Sequence, residues 1–158
     1  MDPELLVFLA LFCHLLTMKT LSRNNSGGSV SLPLEKRFLI PFENEPRILA
    51  AYMLGSAVRG LLRPDSDLDF GLLLHPGEMM SALDINDIAS DLTLSFGRPV
   101  DIGLVSAHNL IYARQCVLTG KQIFCRDVFR AGLAVVALLG LAMQLDIERR
   151  EILHAYST

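Results

Sequence analysis

Three acids and a glycine–serine pair carry the chemistry of this sequence. Gly55-Ser56 is followed by ten residues and then by Asp67-Leu68-Asp69, and a later acid, Asp101, stands between Val100 and Ile102. Side chains alternate faces along a strand, so Asp67 and Asp69 are expected to project to one side. Two carboxylates held side by side repel each other unless a cation lies between them, and a hard divalent ion with oxygen ligands meets that need. Asp101 opens another apolar stretch. If that stretch pairs beside the first, Asp101 becomes a third ligand or a general base. Two metal ions held by three such carboxylates can activate an attacking hydroxyl and neutralise a departing pyrophosphate. Gly55 lets a backbone approach closely, and Ser56 adds a hydroxyl to the N–H groups that a helix start offers to phosphate. Arg59, one helical turn on, is a candidate phosphate contact, and Ser66 can orient a carboxylate or cap a turn.

The elements that must position these residues can be read from pattern. Ile48 to Leu54 is a short apolar run ending in Gly55-Ser56, the mark of a buried strand entering a tight turn. A short helical stretch, Ala57 to Leu62, precedes the turn Arg63-Pro64-Asp65-Ser66. Asp67 to Leu74 reads as the second strand. In Asp84 to Phe96, Ile85, Ile88, Ala89, Leu92 and Phe96 recur on one helical face, with Asp84 as the expected cap. Gly97-Arg98-Pro99 breaks that helix before a third strand, Val100 to Val105. Ser106 is the expected cap of a helix to about Leu118 that Gly120 ends, and Lys121 to Cys125 reads as a short edge strand. Leu34 to Ile40 is expected as the first helix, with Pro33 and Pro41 punctuating the entry. From Asp127 onward the chain reads as helix. Strands alternating with helices indicate one α/β (α+β) domain, a small mixed sheet flanked by helices.

Composition narrows the class. The 158 residues suffice for one domain with a core, and the formal net charge of −3 gives no basic footprint for long duplex nucleic acid. Cys13, Cys116 and Cys125 form neither a CxxC pair nor a zinc spacing, and they fit a reducing cytoplasm. Leu5 to Leu16 is apolar but shorter than the roughly 20 residues that span a bilayer, and it follows Asp2 and Glu4 rather than basic residues. It is expected as an N-terminal helix, with Met18 as an alternative natural start. Ser22 to Ser31 reads as a flexible linker. The chain therefore divides into an apolar segment and linker (1–33), a catalytic domain (34–126) and a helical C-terminal extension of that domain (127–158). Within the extension, Ala131 to Leu145 is apolar on every face, with Gln144 its one strongly polar residue. A run of that length is too short to cross a bilayer, so no membrane role is expected. A surface helix should show a polar stripe, and the missing stripe points to another protein surface, a second copy or a partner.

Taken whole, Gly55-Ser56, ten residues, Asp67-Leu68-Asp69 and the later Asp101 resemble the signature of the DNA-polymerase-beta-type nucleotidyltransferase superfamily. More closely, the chain is similar to the minimal nucleotidyltransferase (MNT) branch, whose members act as antitoxins beside HEPN-type RNase toxins. The similarity extends through Gly55-Ser56-Ala57-Val58-Arg59-Gly60, Ser66-Asp67-Leu68-Asp69, Val100-Asp101-Ile102 and Leu118-Thr119-Gly120-Lys121-Gln122-Ile123-Phe124, over roughly Leu34 to Tyr156. The resemblance implies Asp67, Asp69 and Asp101 as catalytic and metal-binding residues, with Gly55, Ser56, Arg59 and Ser66 on the nucleotide. It further implies ATP as substrate, Mg²⁺ as cofactor, and transfer of AMP to a hydroxyl, a tyrosine on a partner HEPN toxin. An antitoxin acting by occlusion and a small-molecule nucleotidyltransferase are the alternative functions. Arg149, His154 and Tyr156 repeat an arginine–histidine–tyrosine spacing of HEPN RNases, but a HEPN helical bundle has no room here and the match is read as coincidence.

Overall fold

The computed structural model describes residues 36–58 and 66–156. The apolar N-terminal segment, the linker and residues 59–65, on which the expected helix to Leu62, Arg59 and Arg63 fall, lie outside the described residues. A 3-10 turn, Lys36–Leu39, leads into α1 (Ile40–Asn44). The helix thus starts later than the pattern of Leu34 to Ile40 predicts. Pro41 does not end it; it sits in the first turn, where a missing N–H costs nothing. β1 (Ile48–Met53), α2 (Gly55–Val58), β2 (Leu68–Leu74), α3 (Ala82–Phe96) and β3 (Val100–Leu104) follow. Then come a 3-10 turn at Ala107–Asn109, α4 (Leu110–Thr119), β4 (Lys121–Cys125) and α5 (Val128–Ala155).

The four strands form one mixed sheet in the order β3-β2-β1-β4. β1 runs antiparallel to both its neighbours, and β2 pairs parallel with β3. β1 lies between two strands and under helices on both faces, so all six of its residues are buried. This is why it reads as a continuous apolar run rather than an alternating one. Leu68, Phe70 and Leu72 of β2 face α1 and α3, where they join Phe42, Ile88 and Leu92. The opposite face carries Leu49, Tyr52 and Leu73 against Ala113 and Cys116 of α4 and Ala131, Val135, Leu138 and Leu139 of α5.

Two helix starts differ from expectation for the same reason: a side chain further along or further back reaches the free N–H groups better. Ser81, not Asp84, is the N-cap of α3. Its hydroxyl accepts from Asp84 N–H at 3.2 Å while the Asp84 carboxylate accepts from Ser81 N–H at 2.8 Å, a reciprocal capping box. Asn109, not Ser106, caps α4, its Oδ1 accepting from Tyr112 N–H at 3.1 Å. The apolar run Ala131 to Leu145 is the middle of α5, a helix of 28 residues. By length and composition alone α5 could cross a membrane, with a mean hydropathy of 1.9 over its best window, so the short run is no argument against one. Its buried side nevertheless belongs to the core of the domain.

Candidate functional site

β1 ends at Met53 and the chain turns at once into α2, so Gly55 and Ser56 stand at the edge of the sheet beside the start of β2. Leu54 N–H donates to Asp69 O at 2.8 Å, which fixes this turn to β2. Gly55 adopts φ +68°, in the left-handed region, and a Cβ there would stand 2.6 Å from Asp69 Oδ2. The glycine is therefore required twice over, by conformation and by the carboxylate lying against it. Ser56 is half-buried in the turn that follows.

Asp69 and Asp101 are direct register partners across the parallel β2–β3 pair. Both lie on the α4/α5 side of the sheet, because Leu68 and Phe70 on one strand and Val100 and Ile102 on the other belong to the opposite core. Asp69 is half-buried and Asp101 exposed. Burial, then the negative charges of Asp101 and Asp67, push the Asp69 carboxyl above the usual carboxylate range. The structure thus brings Asp69 and Asp101 together as the spacing predicts. Asp67 is placed differently: β2 begins only at Leu68, whose N–H donates to Pro99 O at 2.9 Å, so Asp67 sits exposed just before the strand and not on it. It remains near enough for its charge to act on Asp69. Ser66 is half-buried beside it.

This donor set suits a divalent cation in chemistry: hard oxygen ligands, mutual repulsion, and one carboxyl that burial disfavours in its charged form. Among the described residues no three acid, histidine or thiol side chains form a finished metal cage.

A neighbour that the sequence reading passed over is Tyr112. Its ring crosses the sheet over Gly103, two residues from Asp101 on the same face, and its hydroxyl donates to Phe70 O at 3.2 Å. Burial first, then Cys116, raises the phenol, with Asp101 and Asp69 adding to the shift. Its sign in the sequence was Gly103 itself, since a glycine inside a strand marks a close approach. A shallow cleft of about 510 Å³ between α1 and α3, lined by Ile40, Pro41, Asn44, Asp91, Leu94 and Ser95, contains none of these residues.

A family model described as polymerase beta, nucleotidyltransferase, matches residues 40–129, the stretch that carries the turn, both strands and all three acids. The chain belongs to the polymerase-beta nucleotidyltransferase family. None of the curated proteins matches it. Among solved structures, a toxin–antitoxin crystal structure with AMP-PNP superposes with a TM-score of 0.65 at 20% identity, covering 80% of this chain and 100% of that one. A complex of a tri-AMPylated Shewanella oneidensis HEPN toxin with its MNT antitoxin gives 0.60 at 19% identity, covering 79% and 97%. The toxin–antitoxin MntA-HepT gives 0.56 at 20% identity, covering 78% and 93%. At such identities the likeness is one of fold. This chain, with its mixed sheet, flanking helices and long C-terminal helix, shares the overall fold of these structures.

Proposed function

We propose that this nucleotidyltransferase is an antitoxin of the MNT branch, transferring AMP from ATP to a hydroxyl, a tyrosine of a HEPN-type RNase toxin. The observation that carries the reading is the closure of the Gly55 turn on Asp69 with Asp101 directly opposite. That arrangement sets the backbone turn at the start of a helix against a pair of acids. The fold likeness to complexes described as holding AMP-PNP and an AMPylated toxin supports the substrate and the partner.

In this reading Asp67, Asp69 and Asp101 would hold Mg²⁺, which would supply positive charge to the triphosphate and the departing pyrophosphate. Gly55 N–H and Ser56 hold phosphate oxygens, and Arg59 and Ser66 assist. Asp101, the exposed acid of the pair, accepts the proton of the attacking hydroxyl. The hydroxyl oxygen bonds to the α-phosphorus, the bond from that phosphorus to its bridging oxygen breaks, and pyrophosphate leaves. The protein works in the cytoplasm, where ATP and its three thiols are both at home.

The test is to incubate the protein with ATP labelled at the α-phosphate, Mg²⁺ and a HEPN protein encoded beside it. Label on the partner, lost in Asp67→Asn/Asp69→Asn, is the expected result. Neutralisation of the partner without label would replace catalysis by occlusion. Label on a small molecule alone would remove the antitoxin reading.

A further inference from the structure

The side of α5 that turns away from the sheet is apolar, exposed and ordered in charge along its length. Phe129, Leu133 and Leu141 are 75%, 57% and 46% exposed, while Ala131, Val135, Leu138 and Ala142 are buried in the core. With 3.6 residues per turn, Arg130, Leu133, Ala137, Leu141, Gln144, Glu148 and Glu151 fall within one stripe. All of them are exposed. Arg149 and Arg150 fall on the other sides of the helix by the same period. The stripe is therefore basic at its N-terminal end, apolar in its middle and acidic at its C-terminal end.

We infer that this stripe is a homodimer interface in which α5 packs antiparallel against α5 of a second copy, crossing near the level of Leu139. A twofold axis there sets residues equally distant from Leu139 opposite each other. Arg130 then faces the partner copy's Glu148, and Ala137 faces its Leu141, each contact occurring twice. The small side chain of Ala137, beside Gly140, whose missing Cβ would meet nothing within 4 Å, leaves room for the second helix. Antiparallel packing also opposes the two helix dipoles. Arg130 and Glu148 have only weak local engagements to give up: a 3.6 Å ion pair with Asp127 and a hydrogen bond from Gln144.

The same features decide against other occupants. A bilayer would bury Glu148 and Glu151 or require α5 to leave the sheet, and Val135, Leu138 and Ala142 hold it there. A second copy supplies the complement of the stripe's charge order by symmetry. Arg114 paired to Asp146 joins α4 to α5 from the side and stays clear of the stripe.

Sedimentation velocity of the full chain over a range of micromolar concentrations tests the inference without reference to catalysis. The wild type is expected to dimerise. Arg130→Glu and Glu148→Arg should each weaken the dimer roughly tenfold, since each breaks two exposed ion pairs and creates two like-charge contacts. The double variant Arg130→Glu/Glu148→Arg should recover the wild-type affinity. Circular dichroism checks that these exposed substitutions leave the fold unchanged. A wild type that stays monomeric throughout overturns the proposal, whatever else the helix then binds. A dimer indifferent to both single reversals, or a double variant that does not recover, overturns the antiparallel pairing. Loss of AMP transfer would bear on the proposed function and leave this result untouched.

Discussion

The phenol of Tyr112 fills the space that a side chain on Gly103 would need. In the sheet row that joins Tyr52, Gly71 and Gly103, the strand at the centre carries a bulky ring and the next two carry nothing. Into that gap α4 presses Cys116, against Gly71, and Tyr112, against Gly103. The gap is what lets α4 approach β2 and β3 directly behind the acid pair.

Gly103→Ala should therefore destabilise the domain by roughly 1–3 kcal/mol, the usual cost of overpacking. Tyr112→Phe should cost less, about 1 kcal/mol, for the lost bond to Phe70 O. In a Tyr112→Ala background the Gly103→Ala penalty should largely vanish. Urea denaturation of the four proteins gives the coupling, and additive effects would show that the two residues do not share the space.

Asp69 makes a pH-dependent prediction. Its folded carboxyl is raised above the ordinary 3.8 by burial and by Asp101 and Asp67. The folded state thus binds more protons than the unfolded one between the two values, and stability falls as pH rises through that window. Above it the cost stays constant. Asp69→Asn removes the cost, so its advantage in melting temperature over the wild type should be absent below pH 3.8, open as the pH rises, and level off. Melting curves across that range in chelator check it. An advantage present at every pH would mean that the gain does not come from the charge.

Much of this was legible in the sequence where local pattern and tertiary context agree. The continuous apolar run at Ile48 marked a strand covered on both faces, and β3 opened at Val100 with Asp101 opposite Asp69. Legibility failed where two residues compete for one role. Ser81 and Asp84 can each cap α3, and they divide the work between them, which spacing alone does not decide. Asp67 looked like a strand residue because alternation continues through it, yet pairing begins only where Leu68 finds Pro99 O. Tyr112 was hidden because its role depends on a helix docking over a glycine, a contact nine residues apart in sequence and visible only in three dimensions.

Arg126 closes the far end of the sheet. Its guanidinium donates to Ile48 O at 2.9 Å, Phe42 O at 2.9 Å, and Glu43 O and Glu45 O at 3.1 Å. It also lies over the Phe124 ring, 5.4 Å from the centroid. One side chain thus serves the C-terminal carbonyls of α1 and ties them to the end of β4. Arg126→Ala should lose roughly 1–2 kcal/mol, and Arg126→Lys should recover little of it, because an ammonium cannot fork to carbonyls on two elements. A urea midpoint for Arg126→Lys equal to the wild type would show that charge alone suffices.

Tyr52 carries its hydroxyl into the core of the sheet's α4/α5 face. Tyr52 is 2% exposed, and its oxygen has no hydrogen-bond partner among the described residues. Burial chiefly, with Cys125 and Cys116 adding to it, drives the phenol well above its ordinary value. A buried donor left unsatisfied costs about 1–3 kcal/mol, whereas the ring it sits on contributes fully to the core. Tyr52→Phe keeps the ring and removes the cost. It should raise stability by about 1 kcal/mol, which for a domain of about 125 residues is a rise in melting temperature of roughly 3–5 °C. Calorimetry of the two proteins decides it. A fall of similar size would mean that the hydroxyl bonds a partner in solution, with the neighbouring thiols the first candidates, and Cys116→Ala and Cys125→Ala in the wild-type background would then identify which.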